Sequence, residues 1–96
     1  MNQVILSNKA RKALKKMPKH IIRKLQLWIL DVENSGIEKV RKIPGYHDEP
    51  LGADRKGQRS IRLSRSYRGF YIEYEEIIND KTIDIINVIE VNNHEY

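Results

Sequence analysis

Six cations fall within fourteen residues, Arg55, Lys56, Arg59, Arg62, Arg65 and Arg68, and His94 and Tyr96 follow much later. A guanidinium stays charged and offers a planar fork to two oxygens of a phosphodiester. It can also stabilise the extra negative charge that develops as phosphorus becomes five-coordinate. In RNA the neighbouring 2′-hydroxyl is an internal nucleophile, so a cutting site needs cations, a base and an acid, and no metal. Histidine titrates close to neutral pH and fills either proton role. A tyrosine does so only where positive charge lowers its pKa from about 10, and an arginine cluster is such a place. His47, beside Asp48 and Glu49, is a further candidate.

Other chemistries are excluded by what the chain lacks. It has no Gly-rich phosphate loop, no histidine pair at metal-ligand spacing, no nucleophile elbow and no cysteine, so no disulfide or thiolate metal site. No metal and no small-molecule cofactor are expected.

The elements that must position these residues follow from periodicity. Val4-Ile5-Leu6 reads as a strand, and Ser7 is a good cap for a helix carrying Ala10, Ala13, Leu14 and Met17 on one side. Pro18 ends that helix and starts a second, whose stripe Ile22, Leu25, Ile29 and Val32 is widened by Ile21 and Trp28 until Asn34-Ser35-Gly36 closes it. Residues 37–57, broken by Pro44-Gly45, Pro50 and Gly52, predict a short helical turn and then an irregular loop; loops of this size usually have a task. Ser60 to Ser64 and Phe70 to Tyr74 alternate as strands around a tight link at Arg65-Ser66, and Asn79-Asp80 makes a second turn. Thr82 to Val91 is apolar on both parities, as in a central strand covered on both faces.

The fold class predicted is α+β: a β-α-α-β-β-β order, with a twisted, mainly antiparallel sheet and an N-terminal helical hairpin packed on one face, residues 1–96 forming one domain. Parity turns Arg62 away from Ile61 and Leu63, toward solvent or ligand. Arg68 shares parity with Phe70, Ile72 and Tyr74, which sets it at the rim of the apolar face, where Asp84 or Glu90 could pair with it.

The run from Ile43 to Arg68 resembles the signature region of HigB-type toxins in the RelE/ParE superfamily. It has the Pro44-Gly45 approach, then Leu51, Asp54, Arg55 and Gly57, the strand Ser60-Ile61-Arg62-Leu63, and the aromatic-arginine pair Tyr67-Arg68. The ending Glu90 to Tyr96 is similar to that group's as well, so the resemblance spans nearly the whole chain. It implies a ribosome-dependent mRNA endoribonuclease that inhibits translation and is held in check by a HigA-like antitoxin protein. Position by position, it implies Arg68 at the scissile phosphate with Arg62 beside it, and His94 and Tyr96 as proton-transfer groups. His47, Arg55, Lys56 and Arg59 would complete an RNA-binding basic wall. The chain departs from the pattern at Gly52-Ala53, where Lys-Gly is usual, at Gly69, where a larger apolar residue is common, and at Asn93, where lysine is frequent.

Charge agrees with a polyanionic partner. The formal net charge is +5, with eight Lys or Arg and no acid from Lys9 to Lys24, against seven acids and the lone Lys81 from Glu73 onward. The absence of a long apolar run and of a secretory pattern, together with the lack of cysteine, predicts a cytoplasmic protein without membrane contact. Two rivals remain: a ParE-like gyrase inhibitor with the same fold and no nuclease chemistry, and a noncatalytic RNA-binding module.

Overall fold

The computed structural model describes residues 2–93. The first strand, β1 (Asn2–Leu6), passes directly into α1 (Asn8–Leu14) because Ser7 serves both elements. Its Oγ accepts the Ala10 N–H at 3.1 Å, satisfying a donor that the first helical turn leaves open, and donates to the Ile89 carbonyl at 2.9 Å. Pro18 precedes α2 (Lys19–Ser35), and its carbonyl accepts the Ile21 N–H at 3.0 Å. Gly36 closes α2 at φ +87°, which a side-chain-bearing residue rarely adopts, and leads into the single turn α3 (Ile37–Val40).

The buried stripe of α2 is Ile21, Leu25, Trp28 and Val32, rotated from the Ile22 to Val32 line that the sequence predicts. Trp28 takes the centre because its ring fills the space against the sheet, 5.4 Å from the Tyr71 ring at an interplanar angle of 47°. Around it lie Ile61, Leu63, Ile86, Val88 and Val91, and Ala10 of α1.

The sheet has five strands in the order β1-β5-β4-β3-β2. β3 (Arg59–Arg62), β4 (Tyr67–Ile78) and β5 (Lys81–Asn93) form the antiparallel meander, and β1 lies parallel to β5 on its other side. β2 is only Glu49–Pro50, paired with Ser60 and Arg59, inside the segment that the sequence presents as an irregular loop. The β3–β4 link spans residues 63–66 and is closed by the Leu63 N–H on the Tyr67 carbonyl at 2.9 Å. At the β4–β5 turn Asn79 and Asp80 both take positive φ, 52° and 63°, the twist that a two-residue hairpin demands.

One irregularity decides which side chains share a face. Phe70 pairs with Glu90 but Tyr71 pairs with Val88, so Ile89 is an extra residue in β5. A bulge of this kind reverses the facing parity. Before it Ile86 and Val88 face the helices; after it Val91 does, and Glu90 and Asn92 point to the opposite side. The two-sided apolar pattern of this strand therefore has a bulge as part of its cause. Among the described residues of β5, Ile85, paired with Tyr74, is the one buried on the far face.

Beyond Tyr71 on one side and Asp84 on the other, β4 and β5 lose their outer neighbours and continue as a two-stranded ribbon to the Ile78–Lys81 pair. Toward its tip, over residues 75–82, the side chains are exposed, Ile77 at 78%. Among the described residues, no helix is long and apolar enough to cross a membrane.

Candidate functional site

Arg62 and Arg68 are directly opposite each other on β3 and β4. Residues so paired project to one face, and like charges there repel unless an anion or a carboxylate stands between them. The sequence reading of Arg68 is corrected here. Gly69 and Tyr71 face the helices, whereas Arg68 and Phe70 share the opposite, helix-free face with Arg62. The described carboxylate beside Arg68 is Glu49, not Asp84 or Glu90: Arg68 Nη1 is 3.4 Å from Glu49 Oε1 and 3.5 Å from Ser60 Oγ. Among the described residues Arg62 forms no ion pair.

Arg68, Glu49 and Ser60 belong to a groove of about 490 Å³ lined also by Leu51, Arg55, Phe70 and Asn92, and Arg62 is the strand neighbour of Arg68 beside it. The strands supply it in rows. Glu49, Ser60, Phe70 and Glu90 are successive partners across β2, β3, β4 and β5; Arg62, Arg68 and Asn92 form the next row. Arg55 enters from the short 3-10 turn Ala53–Arg55. Its guanidinium carbon lies 4.2 Å from the centre of the Phe70 ring. Nη1 donates to Gln58 Oε1 at 2.9 Å, and Nη2 donates to both oxygens of Glu90 at 3.1 and 3.0 Å.

Glu90 also takes Lys9 Nζ at 3.0 Å and the amide of Asn92. Burial by itself would raise its carboxyl. The hydrogen bonds from Lys9, Arg55 and Asn92, with the charge of Arg55, outweigh that and hold the carboxyl below the ordinary glutamate range. Glu90 is thus a fixed anion between the groove and α1, and a poor proton acceptor. Glu49 is more than half exposed, and among the described residues its contact is the long one to Arg68, so its oxygens are freer.

Arg59 stands apart. It shares parity with Ile61 and Leu63, pairs with Tyr71, and donates from Nε to the fully buried Asp48 at 2.6 Å on the helix-covered face. In this fold it anchors the loop, on the face away from Arg62 and Arg68. Tyr71 donates its hydroxyl to the same Asp48, and Arg41 bonds Glu73 at 2.6 Å and the Tyr71 oxygen at 3.4 Å. Upstream, the Tyr46 hydroxyl donates to Asp31 on α2 at 2.9 Å. Burial, reinforced by the neighbouring carboxylate, pushes the Tyr46 phenol up to about 12 and raises that of Tyr71 as well. Both stay protonated at neutral pH and serve as struts.

Between these two anchors His47 is exposed in a left-handed conformation, φ 45°, and Lys56 is exposed beside Arg55. His94 and Tyr96 lie outside the described residues. β5 ends at Asn93, paired with Tyr67, and Asn92 is opposite Arg68. Among the described residues, no group of three or more His, Cys, Asp or Glu side chains converges as a metal site.

No family model and no curated relative matches the sequence. Solved structures do match in shape. YafQ from E. coli strain BL21(DE3) superposes with a TM-score of 0.69 at 18% identity, covering 97% of this chain and 93% of that one. The fold is that of RelE-like toxins. The YoeB/ParE toxin from Agrobacterium tumefaciens gives a TM-score of 0.67 at 15% identity, over 97% and 99% of the two chains. The toxin-antitoxin complex RelBE2 from Mycobacterium tuberculosis gives 0.60 at 22% identity, over 96% of each. At such identities the likeness establishes the fold alone. The expectation of a RelE/ParE-type architecture is met at that level.

Sequence reasoning missed Glu49, Ser60, Phe70, Glu90 and Asn92 as groove residues. A signal existed for Ser60, which shares parity with Arg62. Glu90 and Asn92 were hidden by the bulge, and Glu49 by a strand of two residues.

Proposed function

We propose that this chain is an endoribonuclease toxin of the HigB type that cuts mRNA on the ribosome and is neutralised by a HigA-like antitoxin. The observation that carries the reading is the Arg62–Arg68 pair, two arginines directly opposite each other on adjacent strands, Arg68 lining the groove. That arrangement is costly without an anion and well suited to a phosphodiester. The structural likeness to the YoeB/ParE toxin and to the RelBE2 toxin-antitoxin complex supports a toxin with a protein antitoxin.

In the mechanism, the phosphate bridges Arg62 and Arg68, displacing Glu49 from Arg68. The ribose 2′-hydroxyl attacks phosphorus as its proton passes to a base, and the 5′-oxygen leaves with a proton from an acid, giving a 2′,3′-cyclic phosphate and a 5′-hydroxyl end. The arginines stabilise the five-coordinate phosphorus. His94 and Tyr96 are the proposed proton carriers, and the freed Glu49 is the proton acceptor nearest the pair among the described residues. His47, Arg55 and Lys56 are the proposed RNA contacts.

Single-turnover cleavage of ribosome-bound message by the wild type, Arg68→Ala and His94→Ala tests this. Each substitution is expected to slow cutting by about a hundredfold, the usual scale for losing a charge-stabilising or proton-transfer group. Unchanged rates in both variants exclude these residues from the mechanism. A wild type that never cuts but stalls gyrase turns the reading to a ParE-like inhibitor.

A further inference from the structure

Arg55 does not have the surroundings of a phosphate-gripping cation. Three of its hydrogen bonds are already taken by Gln58 and Glu90, and Glu90 cancels its charge at 3.0 Å. What these bonds fix is a plane. The guanidinium is held over Phe70, its central carbon 4.2 Å from the ring centre, and the side chain keeps 38% of its surface accessible. A neutralised, clamped guanidinium backed by an aromatic ring is a surface on which a nucleobase stacks. Phe70 is two residues from Arg68 on β4, about 7 Å along the strand. That is roughly the reach from a nucleotide's phosphate across its ribose to its base.

We propose that the Arg55–Phe70 stack is a nucleobase platform, which receives one unpaired base of the RNA strand whose phosphate lies on Arg62 and Arg68. Glu90 is a positioning residue that holds the platform level. The inference rests on the groove being an RNA site, and adds that binding there is partly base stacking. Leu51 and Asn92 line the same groove, and Ser60, fully buried beneath Arg68, is part of its floor. Lys9, on the far side of Glu90, shares the load of fixing that carboxylate.

The test uses uniformly 2′-O-methylated hexaribonucleotides, which cannot be cut, as anisotropy probes at low salt. One probe is complete, and others carry a single abasic residue at successive positions. In the wild type one abasic position is expected to weaken binding by about 5- to 150-fold, the scale of one base-aromatic stack. Arg55→Lys keeps the charge and removes the plane. It should bind the complete probe as weakly as the wild type binds that abasic probe, and no longer distinguish the two. Glu90→Gln should lower the discrimination while steepening the salt dependence, because the guanidinium is then uncompensated. The inference is overturned if Arg55→Lys retains the wild-type discrimination, which makes Arg55 a phosphate cation. It is also overturned if no abasic position costs more than twofold, or if no probe binds. Cutting on the ribosome is scored separately, so a nuclease without a platform and a platform without nuclease activity give different results.

Discussion

The two faces of the sheet use the same residue types to opposite ends. On the helix-covered face Arg59 and Arg41 each meet a carboxylate at 2.6 Å, two tyrosine hydroxyls are spent on Asp31 and Asp48, and the chain is locked. On the open face Arg62 and Arg68 confront each other, and the described carboxylate beside them is an exposed glutamate at 3.4 Å. Charge that is matched at short distance holds a loop in place; like charge set side by side on the open face is where the proposed phosphate is met. The first arrangement makes the second possible, because Asp48 anchors the segment that delivers Glu49.

The contrast is broken most severely at Asp48. Asp48→Ala leaves Arg59 and the Tyr71 hydroxyl without their acceptor in a buried setting, and is expected to cost about 3 kcal/mol of stability. Urea unfolding reads it directly; a loss below about 0.5 kcal/mol would mean that the buried cluster is not what secures the loop. Next comes Gly69, on the same covered face. A Cβ there would stand 3.3 Å from Ile61 Cγ1, so the larger Gly69→Val should overpack the core and cost about 1–3 kcal/mol. If its thermal midpoint matches wild type, Ile61 has more room than the packing indicates.

On the open face the sign reverses. Arg62→Ala relieves a like-charge pair, and should raise stability by about 0.5 kcal/mol while slowing RNA cutting. A variant that is both less stable and fully active would put Arg62 among the structural arginines. The smallest effect concerns acid. The folded state holds the Glu90 carboxyl below its ordinary 4.5, so its contribution to stability is present above that value and fades as pH falls through the lowered one. Glu90→Gln should therefore be less stable than wild type at neutral pH, with the gap closing below about 4.5. A gap that stays constant down to acid unfolding would show that the Lys9 and Arg55 contacts carry no net linkage.

Much of this was legible in the residues. The Ser7 cap, the Pro18 start of α2, the Gly36 stop and the Asn79-Asp80 turn depend on local chemistry and stand where the sequence places them, whereas α1 stops at Leu14, short of Met17 and Pro18. The outward turn of Arg62 followed from simple alternation, and the same rule applied to Arg59 already pointed it toward the core. What stayed hidden depends on pairing between distant segments. β2 exists only because Glu49 and Pro50 find Ser60 and Arg59. The extra residue Ile89 leaves no mark in composition, yet it decides that Glu90 reaches the groove and not the helices. The rotation of α2 about Trp28 likewise comes from tertiary packing, since the apolar stripe is wide enough to allow either setting.

The ribbon that outruns its neighbours has an electrical consequence. From Lys81 to Glu90 the β5 strand runs about 30 Å. One end carries Glu75, Glu76 and Asp80, and at the other Lys9 begins the cationic surface of α1. Opposite charges held that far apart along one strand give the molecule a dipole moment. Near a strongly negative surface it feels a torque that swings the ribbon outward and brings the helical end round before any contact is made. The gain is in how often collisions begin in the right attitude, and added salt removes it.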